Sequence, residues 1–128
     1  MPTWGEVQEF ARLKYRVAND TQDSFEIAFE YENDRRQIVK VGRFEAVNRE
    51  WCDISSKCCS RAQLDPEVAL KKNFGFALGA LCLEGDVYVV RYSVQMASMD
   101  IDEFELPLYV VASTADRIEE EFAKRDEF

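Results

Sequence analysis

The clearest element in this chain is a strict alternation. Phe25, Ile27, Phe29 and Tyr31 are separated by Glu26, Ala28 and Glu30, with Ser24 and Glu32 outside them. On an extended backbone this period sends successive side chains to opposite faces, one buried and one wet. Asn33-Asp34 supplies the turn that follows. The run from Arg36 to Val47 is apolar at Val39 and Val41, then at Phe44 and Ala46, and the two pairs differ in parity. A single-residue bulge at Gly42 brings both pairs to the same face. Beyond Asn48-Arg49 a third strand covers Trp51 to about Cys59, with Cys52, Ile54 and Cys58 inward.

Helical spacing frames these strands. From Thr3 to about Arg12, Thr3 caps a helix that carries Trp4, Val7, Phe10 and Ala11 on one side. Lys14 would interrupt that stripe, so the helix ends near Leu13 and Tyr15 and Val17 run on as extended chain; Asn19 to Asp23 is a loop. Asp65 caps a second helix with Pro66 in its first turn, reaching about Asn73, burying Val68 and Leu70 and stopping at Gly75. A second hairpin pairs Phe76–Leu83 with Val87–Met96 across Glu84-Gly85-Asp86. The last helix runs from about Asp102 to Lys124 on a stripe of Phe104, Leu108, Val111, Ala115, Ile118 and Phe122. Met99 and Phe104 staple its start around Asp100, Glu103 sits where a capping-box acid belongs, and Pro107 must fall in the first turn. The order α-β-β-β-α-β-β-α predicts an α+β fold, an antiparallel sheet with helices packed mainly on one face, spanning 1–128 as a single domain.

Pairing the second hairpin through its turn sets Cys82 against Tyr88, Ala80 against Val90, Leu78 against Tyr92 and Phe76 against Val94 on the core side. The other side then carries Leu81 with Val89 and Leu83 with Val87, Gly79 opposite Arg91 and Ala77 opposite Ser93. Leu81, Leu83, Val87, Val89 and Arg91 are therefore the candidate protein-binding residues, as a homodimer interface or a groove for a client protein.

Composition narrows the chemistry. The chain has no histidine, no G-x-S-x-G elbow and no phosphate loop, so Ser55, Ser56 and Ser60 lack an activating base and no catalytic residue is assigned. Its 16 basic residues face 25 acidic ones, a net charge of -9 that repels phosphate backbones and argues against a nucleic-acid partner. The longest apolar stretch, Phe76 to Leu83, is far short of the ~20 residues a membrane helix needs. Met1 to Glu6 has neither the basic region nor the apolar core of a signal peptide, so the expected place is a reducing cytoplasm.

The cysteines and acids call for structural roles. Cys52 and Cys58, on one strand, stand roughly 20 Å apart, beyond what thiolate–zinc bonds can span. Neighbouring Cys58 and Cys59 are expected on opposite faces, so the cysteines read as small core residues, with no metal or other cofactor. Asp100-Ile101-Asp102-Glu103 lacks the glycine and the downstream glutamate of a calcium loop and suits a helix start. Glu119-Glu120-Glu121 reads as a solvated face, and Arg35 and Arg36 as local turn pairing.

Three stretches resemble a known family. They are Leu70-Lys71-Lys72-Asn73-Phe74 leading to Ala77-Leu78-Gly79-Ala80-Leu81, Val87 to Val94, and Met99 to Phe104 with Pro107-Leu108. Their order and wording are similar to the type III secretion chaperone-like superfamily, and more closely to its YbjN-type branch of small bacterial proteins. The resemblance implies a compact α+β fold, commonly homodimeric and acting without catalysis. Chaperones of this superfamily are small, acidic and cytoplasmic and hold an extended segment of a client. The expected function is a non-enzymatic protein-binding module, a chaperone-like adaptor or regulator. The competing readings are a small-molecule-binding or carboxylate-dependent enzymatic domain, and an acidic regulator that mimics nucleic acid.

Overall fold

The computed structural model describes residues 2–31 and 34–123. Helix α1, Trp4–Lys14, begins with a reciprocal cap: Thr3 accepts from the Glu6 amide while Glu6 accepts from the Thr3 amide. Of the four residues expected on its apolar side, Trp4, Val7 and Ala11 are buried and Phe10 is half-buried, and the Trp4 ring stacks on Phe25 with centroids 5.7 Å apart. A short strand β1, Val17–Ala18, follows, then β2, Ser24–Glu30, β3, Arg36–Ala46, and β4, Arg49–Ser60. Helix α2, Pro66–Asn73, is capped by Asp65, whose carboxylate accepts from the amides of Glu67 and Val68. Strands β5, Ala80–Glu84, and β6, Val87–Gln95, lead through short 3-10 turns to α3, Glu105–Ile118. The chain continues as a π-helical turn, Glu119–Ala123.

The strands form one antiparallel sheet in the order β1-β2-β3-β4-β6-β5. Phe25, Ile27, Val39, Val41, Cys52, Ile54, Tyr88 and Val90 point to a single inner face. Onto it α3 packs with Phe104, Leu108, Val111, Ala115 and Ile118, all buried, with Phe122 against the edge of that core. Pro107 is the third residue of α3, where its missing N–H costs nothing. The α+β architecture is the expected one, with the added β1.

Several local expectations are overturned. Gly42 carries no bulge: β3 pairs regularly with β4 from Lys40↔Ser55 to Ala46↔Arg49. Phe44 therefore lies opposite in facing to Val39 and Val41, stacked on Trp51 at 6.2 Å. The bulge falls instead in β4, between Lys57 and Cys59. It lets Cys58 and Cys59 both become fully buried, rather than facing opposite ways. Gln37, buried in β3, serves this irregular point by donating its side-chain amide to the Lys57 carbonyl and to Ser56.

Helix α2 buries Ala69, not Val68 and Leu70, which are exposed. The turn between β3 and β4 is Val47-Asn48, both with positive φ, and Arg49 already belongs to the strand. Strand β5 starts at Ala80 rather than Phe76. Gly79 adopts φ 81 just before it, and a Cβ there would lie 3.1 Å from the Arg91 carbonyl oxygen. The start of α3 is also later than expected, with Asp100 capping a 3-10 turn, Ile101–Glu103, ahead of the helix. Asn33 and Lys124 lie outside the described residues.

Candidate functional site

The two faces of the sheet differ in cover. Helix α3 lies on the inner face, α1 joins it through Trp4, and α2 reaches the same side through Lys72, which meets Glu121 and stands over the Phe122 ring. The outer face is left open, built from alternate positions of β2, β3, β4, β6 and β5.

The open face contains a depression of about 390 Å³ whose charged walls are Glu26, Lys40, Asp53, Lys57 and Glu84, with Ile38 and Val89 among the apolar ones. Beside it the stacked Phe44–Trp51 pair is crossed by the Arg91 guanidinium, 5.4 Å from the Phe44 centroid. Arg91 also donates to Asp53 at 2.6 Å, and Ser93 donates to the same carboxylate oxygen. Such a surface combines apolar area, a cation held over an aromatic ring and hydrogen-bonding side chains, which suits contact with another polypeptide.

The register divides the five residues assigned to binding. The turn joining β5 to β6 is two residues, Gly85-Asp86, so Glu84 faces Val87, Leu83 faces Tyr88, Cys82 faces Val89, Leu81 faces Val90 and Ala80 faces Arg91. Every expected pair is slipped by a residue, which exchanges the faces of β5. Leu81 and Leu83 consequently belong with Val90 and Tyr88 on the inner side, Leu81 buried and Leu83 at its margin, 43% exposed. Val87, Val89 and Arg91 remain on the open face, although Val89 is buried there, 6% exposed. The aromatic pair was missed because the Gly42 bulge turned Phe44 inward; the parity break at that point was its signal.

A second apolar surface runs along α2 to the sheet edge. Val68, Leu70 and Phe74 are exposed, Phe74 by 98%. The outer backbone of β5 is not left bare: the Asn73 side chain accepts from the Leu81 N–H at 2.6 Å and donates to the Leu81 carbonyl at 3.3 Å. This amide occupies the position a further strand would take.

Charges expected at the surface are inside. Glu119 is fully buried and accepts from Arg35 at 3.2 Å, while Arg35 also donates to Asp116 at 2.9 Å. Glu120 and Glu121 are exposed, as the solvated reading requires. Among the described residues no group of three or more cysteine and acidic side chains is gathered for a metal ion. Burial pushes the Cys52 thiol up to about 12. The Cys58 thiol is raised, chiefly by its hydrogen bond with Cys59 and then by burial, and that bond lowers Cys59.

No protein-family model and no curated protein matches the chain. Among solved structures it is similar to a chain of the HopA1–SchA chaperone–effector complex, with a TM-score of 0.63 and 12% identity. The match covers 89% of this chain and 90% of that one. At that identity the likeness shows a shared architecture alone. No described helix is long and apolar enough to cross a membrane.

Proposed function

We propose that the chain, as a single domain over 1–128, is a non-enzymatic, chaperone-like protein-binding module of the YbjN-type branch, acting in the cytoplasm. It holds an extended segment of a client protein on the open sheet face. The observation that carries this reading is that face itself: Val87, Phe44 and Trp51 are half-exposed on a sheet surface that no described helix covers. The chaperone named in the similar structure occurs there with an effector, which supports a client as the occupant here. The exposed Val68, Leu70 and Phe74 on α2 support a homodimer through that helix.

A permanently unfolded test protein, reduced and alkylated, provides the assay. The wild-type chain keeps it from scattering light, and the Val87→Arg/Trp51→Ser variant loses that protection while remaining folded. Equal protection by both would rule out the open face. In the same preparations Leu70→Ser/Phe74→Ser halves the mass measured by light scattering; a wild-type monomer would remove the homodimer.

A further inference from the structure

The bulge in β4 brings together two nucleophiles that client binding on the open face leaves unused. On a regular strand Cys58 and Cys59 would point to opposite faces and could not touch. The register shift between Lys57 and Cys59 lets both side chains turn inward, where both are fully buried. A hydrogen bond joins the two thiols, and the Tyr88 carbonyl oxygen lies 3.4 Å from the Cys58 sulfur. The pair is asymmetric. Its shared bond lowers the Cys59 thiol, the direction that favours the nucleophilic thiolate, whereas burial pushes Cys52 up to about 12.

Two neighbours complete the site. Gln37, fully buried on β3, donates its amide to the Lys57 carbonyl just before the pair. Its own side-chain oxygen has no hydrogen-bond partner among the described residues. A buried acceptor without a donor is costly, and the hydroxyl of a cysteine sulfenic acid is such a donor. The π-helical turn Glu119–Ala123 packs on β4, with the Glu119 carboxylate near enough to act on both thiols. π-Helical turns recur at functional sites.

We propose that Cys58 and Cys59 form a paired-thiol site for a hydroperoxide, which converts them to a disulfide. With hydrogen peroxide, little larger than water, the Cys59 sulfur attacks one oxygen, the O–O bond breaks and the departing oxygen leaves as water. The Cys58 sulfur then attacks the sulfenic sulfur of Cys59; the S–S bond forms and the hydroxyl leaves as a second water. Both thiol protons end in those waters, and the electron pair lost by the sulfurs reduces the peroxide. Adjacent Cα atoms are about 3.8 Å apart, closer than disulfides usually bridge, so thiols reverse the bond readily. The site lies on the inner side of the sheet and stands independently of the protein-binding reading.

The test uses the full chain with Cys82→Ser, which removes the half-buried thiol that could link separate copies. Native protein is treated with hydrogen peroxide, then denatured and alkylated with N-ethylmaleimide. Mass spectrometry should find the chain lighter by a pair of hydrogens, with Cys58 and Cys59 unalkylated and dithiothreitol restoring both. Cys52, equally buried, is the internal control and should be alkylated. Oxidation of Cys52 to the same extent would mean that peroxide reaches the thiols only as the chain unfolds, and would overturn the proposal. Full alkylation of Cys58 and Cys59, or added oxygen on either, would overturn it too. Adding Cys58→Ser should abolish the mass loss and leave Cys59 to gain oxygen instead; a mass loss that survives would place the bond elsewhere. Should that variant not fold, the mass and peptide map of the Cys82→Ser chain decide alone.

Discussion

Arg35, just before β3, donates from its guanidinium to the carboxylate of Glu119, where α3 passes into its π-helical turn, at 3.2 Å. The two are separated by 84 positions in the chain, yet Glu119 is wholly buried and the Arg35 side chain is 13% exposed. Asp116 accepts from the same guanidinium, so a pair of carboxylates shares one planar cation. The contact ties the end of α3 to the sheet between the stripe residues Ile118 and Phe122.

Arg35→Leu should accordingly destabilise the chain by about 3–5 kcal/mol, because it removes the cation that buried Glu119 and Asp116 share. Glu119→Gln, which keeps the shape and a hydrogen bond, should cost less, and Glu120→Gln should change little. Urea denaturation of the three variants checks the order. Equal midpoints would mean that Glu119 reaches water.

The Val47-Asn48 turn carries avoidable strain. Val47 is β-branched, 80% exposed and held at φ 47, a region that β-branched side chains resist. Paired positive φ values are those of a tight hairpin turn that favours Asn followed by Gly. Val47→Asn should raise stability by about 1 kcal/mol and increase the melting temperature. A fall in the melting temperature would contradict the turn geometry.

Asn73 guards the edge of the sheet. Removing its amide by Asn73→Ala leaves the Leu81 N–H and carbonyl without those bonds, at a cost of about 1–3 kcal/mol. It also exposes an unpaired strand edge, so the variant should aggregate faster on concentration than the wild type. Asn73→Asp retains the acceptor but loses the donor and should fall between them. Light-scattering time courses would settle this, and an unchanged course for Asn73→Ala would mean that α2 itself covers the edge.

Thiol labelling should divide the cysteines. Cys82 is half-buried and should react first with a disulfide reagent at about pH 8, whereas the buried Cys52, Cys58 and Cys59 wait for unfolding. The slow phase should follow the unfolding rate and accelerate in urea. Rapid modification of Cys58 or Cys59 in native protein would show that the β4 bulge opens readily.

Alkaline pH provides a further check. Burial lifts Tyr15 to about 12, with the Glu105 carboxylate adding to it, and burial also raises Tyr31 and Tyr88. An unfolded tyrosine ionises near pH ~10. The unfolded chain then loses protons before the folded one, so stability present below that pH declines as pH rises toward 12. Tyrosinate absorbance should appear late for these residues in native protein, and urea midpoints should drop over the same window. Normal titration of all the tyrosines would contradict their burial.

What the sequence determined by itself is whatever depends on near neighbours. Thr3 with Glu6, and Asp65 ahead of Pro66, set their helix starts because a cap needs only the next few residues. The alternation through Phe25 and Ile27 and the three-four spacing from Phe104 to Ile118 fixed which side of each element turns inward. Together they were enough for the α+β order. Tertiary structure decided what depends on partners far along the chain. Parity cannot locate a bulge, and the one in β4 lies where Gln37 of the neighbouring strand satisfies the Lys57 carbonyl. A two-residue turn rather than a three-residue one moved Leu81 and Leu83 to the inner side and left Val87, Val89 and Arg91 outside. Glu119 looked solvated within its acidic run, but it is buried against Arg35 from far along the chain, since a buried carboxylate needs a cation beside it.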